Sequence, residues 1–273
     1  DEDREIGFYA ERVVAHLNQN WSWPAIAKSD PVFLSNFPRM QLDGVNPTQQ
    51  WSLFPSVAST YDEIDSEWRH RTGADIFWRP STNFQMTATI NPDFGSAEAD
   101  DVVVNLTASE TFFPEKRLFF QEGQEIFNVT SRANGSSGKR FTILNTRRIG
   151  GRPRSPDLDP GESLTARQRI TNADLIGAVK ATGQLGRVRY GLLSAVEDET
   201  RYNVGGQRIE QEGRDFTAFR VLYEDAAGGA AYRGLGYIGT LVAHPDSDAE
   251  VHAVDYRYLT QGGIWSFDGA VVT

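Results

Sequence analysis

The sequence predicts an all-β fold made of consecutive antiparallel strands, and three observations carry that prediction. Polar and apolar residues alternate in runs of about 9–11 residues, the length of a tilted bilayer-crossing strand. Helical periodicity is scarce. Short turns built on Gly, Asn and Ser separate several of the runs. No stretch of about 18 apolar residues occurs, which removes transmembrane helices. It does not remove a transmembrane β-barrel, whose lipid face takes every second residue.

At each end the chain looks cut. It opens on Asp1-Glu2-Asp3-Arg4, without the basic start and apolar stretch of a signal peptide. It stops at Gly269-Ala270-Val271-Val272-Thr273, inside a strand pattern. The expectation is therefore a fragment of a longer protein, with residues 1–273 as one domain.

The first clear hairpin lies at 73–91. Ala74, Ile76 and Trp78 alternate with Gly73, Asp75 and Arg79, and Phe84, Met86, Ala88 and Ile90 alternate with Gln85, Thr87, Thr89 and Asn91. Pro80-Ser81-Thr82-Asn83 supplies the turn. Residues 92–172 are different: polar, densely charged and Gly-rich around Asn134-Gly135-Ser136-Ser137-Gly138. Long insertions of that kind in a compact domain are usually functional or loosely ordered.

A meander resumes near 174. Leu175, Val179 and Ala181 oppose Asp174 and Lys180, and Gly183-Gln184 is expected to turn the chain. Val188, Tyr190 and Leu192 then oppose Arg187 and Arg189. After a polar stretch at 197–213, Thr217, Phe219, Val221 and Tyr223 alternate with Phe216, Ala218, Arg220 and Leu222. Runs at 232–242 and 249–259 follow, and finally Trp265, Phe267 and Val271 oppose Ser266 and Asp268. Tight and long connections alternate, as in outer-membrane barrels. A soluble β-sandwich also alternates and also uses short turns. Lys180, Arg187, Arg189 and Asp268 suit a wet lumen or a solvated sandwich face equally. The discriminator is Phe84, Met86, Ala88 and Ile90, which in a sandwich pack against a second sheet.

Composition narrows the function classes. With no Cys, there are no disulfides, thiolate metal sites or Cys nucleophiles. The 37 acidic against 27 basic residues, a formal charge of −10, argue against a nucleic-acid partner. His16, His70, His244 and His252 are scattered without metal-ligand spacing, so neither a metal site nor a cofactor is expected. Gly234-Leu235-Gly236-Tyr237-Ile238-Gly239 formally matches the dinucleotide fingerprint, with Asp255 near the later acid. It lacks the following helix that such a site requires, and reads as small residues within a strand. No nucleophile elbow is present. Asn105, Asn128 and Asn134 open formal glycosylation sequons, which chance also produces.

The chemistry concentrates at 91–127. Asp93, Glu98, Asp100, Asp101, Glu110, Glu115, Glu122 and Glu125 stand beside Lys116 and Arg117, flanked by Phe112, Phe113, Phe119 and Phe120. Arg147 and Arg148 add cations downstream. Two of the carboxylates would serve a glycosidase as acid and base if they faced each other across a sugar. The competing assignment is an ion network inside the fold, since buried charges demand partners. Asp93, Glu98, Asp100, Glu110, Glu115, Lys116, Arg117, Glu122, Arg147 and Arg148 form this candidate network, and no catalytic residue is assigned.

These same residues carry a resemblance. Asn91, Pro92, Asp93, Phe94, Glu98, Ala99 and Asp100, then Asn105-Leu106, then Phe112 to Arg117 with Phe119, Phe120 and Glu122, then Arg147-Arg148-Ile149-Gly150, resemble the signature of a bacterial outer-membrane barrel family, domain of unknown function 5916. Thr146 stands where that family usually has Ser. Gly73 to Ser81 and the segment around Phe8, Glu11, Arg12 and Trp21-Ser22-Trp23-Pro24 are similar too. The resemblance implies a signal peptide and a family-9-like carbohydrate-binding module ahead of this chain, then the barrel. It further implies a location in the bacterial outer membrane with lipid as partner; on that basis residues 92–150 are expected to fold into the lumen, and binding or uptake of glycan or other polymer fragments is the expected function. A cell-surface glycan hydrolase and a structural anchor for the N-terminal module are the alternatives. The chain departs from a complete barrel in its non-aromatic end, Val272-Thr273.

Overall fold

The computed structural model describes residues 2–27, 33–45, 49–62, 66–93, 115–129, 142–225, 231–261 and 264–273. Among these described residues fifteen strands dominate: β1 (Glu2–Gly7), β2 (Ala10–Val14), β3 (Gln19–Trp23), β4 (Arg39–Val45), β5 (Gln50–Asp62), β6 (Glu67–Ser81), β7 (Phe84–Ile90), β8 (Leu175–Leu185), β9 (Val188–Glu197), β10 (Thr200–Val204), β11 (Gln207–Gln211), β12 (Asp215–Asp225), β13 (Tyr232–Ala243), β14 (Ala249–Leu259) and β15 (Ser266–Val272). Helix among the described residues is confined to α1 (Leu118–Gln121), α2 (Ala166–Ile170) and single 3-10 turns. The chain is all-β, as expected.

Nine strands form one antiparallel sheet in the order β15-β14-β13-β12-β9-β8-β7-β6-β5. Chain neighbours are sheet neighbours throughout, apart from the excursion β10–β11, which forms its own hairpin between β9 and β12. Gly205 and Gly206 turn that hairpin at φ 61 and 83, values that a two-residue turn needs and glycine reaches freely. Strands β1 with β4 and β2 with β3 make two small separate sheets, tied by Tyr9, Phe33 and Phe37 rings 5.0–5.2 Å apart. The large sheet is open among the described residues, with β5 and β15 at its edges; closure into a barrel is not seen.

Two local expectations are corrected. Gly183-Gln184 does not turn the chain; β8 continues to Leu185, and the turn falls at Gly186-Arg187, with Gly186 at φ 58. Gly183 stays extended because the Tyr190 ring on the next strand lies over it, where a Cβ would come within 2.5 Å. Leu175 also does not share a face with Val179 and Ala181. A bulge between Leu175 and Gly177 reverses the alternation, and with a period of two a single extra residue moves every later side chain to the other face. Leu175 is therefore buried beside Ala178 and Lys180.

The sheet has unlike faces. Residues 115–129 and 142–149 cover one face, here the inner one; α1 lies on β7 and the turn at 124–127 on β9 and β12. Phe119, Phe120, Ile126, Phe127, Val129 and Ile149 join Leu193, Ala195, Phe216, Ala218, Ile238 and Ala253 in a single core. Charge is buried with them: Lys180, Arg220 and Asp255 sit on this face. The opposite face is apolar and open, with Trp51, Leu53, Val57, Leu192, Phe219, Val221, Leu235, Val254 and Phe267 exposed. In β7 the inversion is plain: Thr87 and Thr89 are buried, Phe84, Met86 and Ala88 only half-buried, and Ile90 57% exposed. The four discriminating residues thus stand on the uncovered face.

Glycines adjust this packing at two inner-face positions. A Cβ on Gly191 would lie 2.9 Å from Ile126 and 3.0 Å from Phe127, so its bareness seats the inner segment. A Cβ on Gly236 would lie 2.6 Å from the guanidinium carbon of Arg220, whose path to Asp255 crosses that strand. The supposed dinucleotide fingerprint is thus β13, and Gly236 is there for an arginine.

Gly236→Ala is expected to break the Arg220–Asp255 pair and cost about 3–5 kcal/mol, as removal of one partner of a buried pair does. Gly191→Ala is expected to cost about 1–3 kcal/mol through overpacking. Denaturant midpoints of the two variants against wild type measure both.

Candidate functional site

The inner segment is held by its own ion knot. Glu115, its side chain 2% exposed, accepts from the Arg117 side chain at 2.7 Å (Nη2) and 2.8 Å (Nε) and from the Thr146 hydroxyl at 2.7 Å. The backbone N–H groups of Lys116 and Arg117 add bonds at 3.1 and 2.9 Å. Arg117 in turn donates to the carbonyls of Ile149 and Thr146, both at 2.6 Å, and its guanidinium carbon lies 4.2 Å from the Phe120 ring centre. Arg147 approaches Glu115 at 3.9 Å. Two stretches 29–32 residues apart are thereby clasped without a disulfide. Burial pushes the Glu115 carboxyl up, but the bonds and charge of Arg117, with the Thr146 hydroxyl, outweigh it and hold the group below its ordinary 4.5.

A second clamp fixes the segment's far end to the sheet. Glu197, 1% exposed at its side chain, accepts from Gly150 N–H at 2.9 Å and from Arg214 through both Nε (2.8 Å) and Nη2 (2.9 Å). Arg214 also reaches the carbonyls of Arg148 and Arg152 at 3.3 and 3.2 Å. Further inner-face cations do the same. Lys180 donates to the Phe119 carbonyl, Arg79 pairs with Glu122, and Arg220 donates to the Ile126 carbonyl at 3.2 Å while holding Asp255 through both oxygens. Each buried cation thus meets an oxygen, as burial requires.

Towards the end of the sheet that carries the β6–β7 and β8–β9 turns, the polar groups open onto space. Arg189 pairs with Glu125 at 3.5 Å and Glu224 at 3.4 Å, and the Tyr232 hydroxyl donates to Glu224 at 2.6 Å. On one side of the Arg189–Glu125 pair lies a cavity of about 430 Å³, lined among others by Gln50, Gln85, Thr182 and Gln184. On the other lies one of about 450 Å³, lined among others by Asn128, Leu222, Arg257 and Asp268. A third, more apolar space of about 610 Å³ lies between the Phe54 and Phe77 pair and Leu118.

Of the ten candidates from the sequence, Glu115, Arg117 and Arg147 come together. Glu122 lies apart with Arg79. Asp93 and Lys116 line the third cavity, and Arg148 lends its carbonyl to Arg214. Glu98, Asp100 and Glu110 lie outside the described residues. Among the described residues no group of His, Asp and Glu is placed to hold a metal ion. Sequence reasoning missed the pairing of Glu197 with Arg214 and that of Asp255 with Arg220. The available signal was a lone charge at an inward position of a hydrophobic strand, such as Arg220 between Phe219 and Val221.

Residues 47–220 match the family described as Domain of unknown function (DUF5916), well over half of the chain. No curated protein and no solved structure matches.

A carboxylate held below its ordinary value contributes stability that is present above that value and is lost as pH falls through the folded one. Wild type is therefore expected to lose thermal stability below about pH 4.5 more steeply than Glu115→Gln, which lacks the titrating group. Melting temperatures of both proteins from pH 3 to 7 check this; parallel curves would remove Glu115 from the acid limb.

Proposed function

Because the chain belongs to the DUF5916 family, we propose that it forms part of the wall of a β-barrel in the bacterial outer membrane, with lipid against its apolar face. The observation that carries this reading is the inverted polarity of the nine-stranded sheet. Threonines and charged side chains are buried on the inner face, while valines, leucines and aromatic rings stand exposed on the outer one. In water that pattern exposes a large apolar surface with no gain; in a bilayer it is what a strand needs.

Two further features support it. Near the end that carries the two-residue turns, the outer face bears Trp51, Trp78, Phe84, Tyr190, Tyr223, Tyr258 and Phe267 across seven strands. Aromatic rings gathered towards one end of the strands suit a membrane–water interface. The opposite end carries the long connections, 91–174 and 198–214. Because unpaired backbone costs several kcal/mol per group in hydrocarbon, closing the wall takes further strands against β5 and β15.

The lumen would then be the inner face, narrowed by residues 115–129 and lined by hydrogen-bonding side chains. Binding or passage of glycan or other polymer fragments is the function this lining suits best, with a carbohydrate-binding module preceding the wall. The hydrolase alternative draws least support here, since the Glu115 carboxylate is already taken by Arg117 and Thr146.

The chain lacks cysteine, so single introduced cysteines report on their surroundings. In native membranes, Val221→Cys, Leu235→Cys and Val254→Cys are expected to resist a membrane-impermeant maleimide until detergent denaturation, while Arg187→Cys in the turn reacts at once in broken cells. Equal labelling at all four positions in undenatured membranes would sink the barrel.

A further inference from the structure

We propose that the cavity under the β6–β7 and β8–β9 turns is a subsite for a neutral oligosaccharide, whose hydroxyls meet the carboxamides of Gln50 and Gln85 and the hydroxyl of Thr182. The proposal rests on the barrel reading above and gives its lumen a ligand class and an address. All three side chains occupy inner-face positions, on β5, β7 and β8, with Gln85 directly opposite Thr182 across the β7–β8 ladder. The space they line is about 430 Å³, within the size range of small-ligand pockets.

The lining argues for the ligand. A carboxamide presents a donor and an acceptor in one plane, the pattern that neighbouring hydroxyls of a sugar complement. Among the described residues, Gln50, Gln85 and Thr182 make no side-chain hydrogen bond of their own, so their capacity faces the cavity. Gly123 packs beside two of them: it stands at φ +67, and a Cβ there would crowd the Gln85 amide nitrogen at 3.0 Å and the Thr182 hydroxyl at 3.3 Å.

Charge decides against an acidic sugar. The cations at the cavity, Arg79 and Arg189, are taken by Glu122, and by Glu125 and Glu224 respectively. An anionic ligand would have to displace one of those carboxylates. A neutral one finds amide and hydroxyl groups already open.

The test is calorimetric titration of the detergent-solubilised protein with neutral gluco-, manno- and xylo-trisaccharides and with trigalacturonate. At least one neutral trisaccharide is expected to bind and trigalacturonate is not. Gln50→Leu with Gln85→Leu is expected to weaken binding about tenfold or more, and each single variant about fivefold, as the loss of one hydrogen bond does. Gln207→Leu on the remote hairpin leaves it unchanged. Binding of trigalacturonate instead, no binding of any neutral trisaccharide, or neutral binding indifferent to the double variant overturns the subsite. The cysteine-protection pattern, measured with the single introduced cysteines in the otherwise unchanged chain and in the double variant, separates the outcomes. If protection persists, only the subsite has failed; if the otherwise unchanged chain lacks it, the barrel reading has failed with it.

Discussion

Arg220 joins three parts of the molecule: β12, β14 and the segment that covers the inner face. From the middle of β12 it reaches across the bare backbone of Gly236 to both oxygens of Asp255 on β14, and its Nε donates to the Ile126 carbonyl of the inner segment. A fully buried guanidinium is costly unless every donor finds an oxygen. Satisfying it therefore dictates the glycine on β13, the acid on β14 and the position of the turn at 124–127. The register of three strands and the seating of the covering segment follow from that one requirement.

The same logic repeats around the inner face. Lys180 and Arg214 each take backbone carbonyls of the covering segment, and Arg79 and Arg189 take its acids. Short helices leave unpaired carbonyls at their ends, so single turns such as α1 and 124–127 are suited to receiving cations. Between these polar fastenings lies the cluster of Phe119, Phe120, Ile126 and Phe127. The segment is thus bonded to the sheet by hydrogen bonds whose positions are specific and packed by apolar area that is not. Such a combination places a segment more uniquely than apolar packing alone.

Outer-face glycines show how the uncovered side is maintained. Gly183, Gly239 and Gly269 lie beneath the rings of Tyr190, Phe219 and Tyr256. Each ring shields backbone that a bare glycine would leave open, the device that stabilises glycine-containing sheets. An apolar, ring-studded surface results without any second layer of protein, and it is that surface which the membrane reading uses.

Much of this was legible beforehand. Alternation located β7, β9, β12 and the later strands, because side-chain direction has a period of two in any sheet. Glu115, Arg117 and Arg147 were recognisable as members of an ion network, because charges beside phenylalanines in one segment need partners. The bulge after Leu175 was not legible, since one unpaired residue leaves no compositional trace. Nor was the partnership of Glu197 with Arg214 or of Arg220 with Asp255, which depends on which strands lie side by side.

The sequence by itself therefore determined the fold class, the strand order and the location of the charged segment, all consequences of local pattern and chain continuity. Only the tertiary structure decided which face of the sheet is covered. Alternation marks two faces and says nothing of which one meets protein; that was settled by residues 115–129, whose carbonyls and phenylalanines match the charged face and leave the apolar one bare.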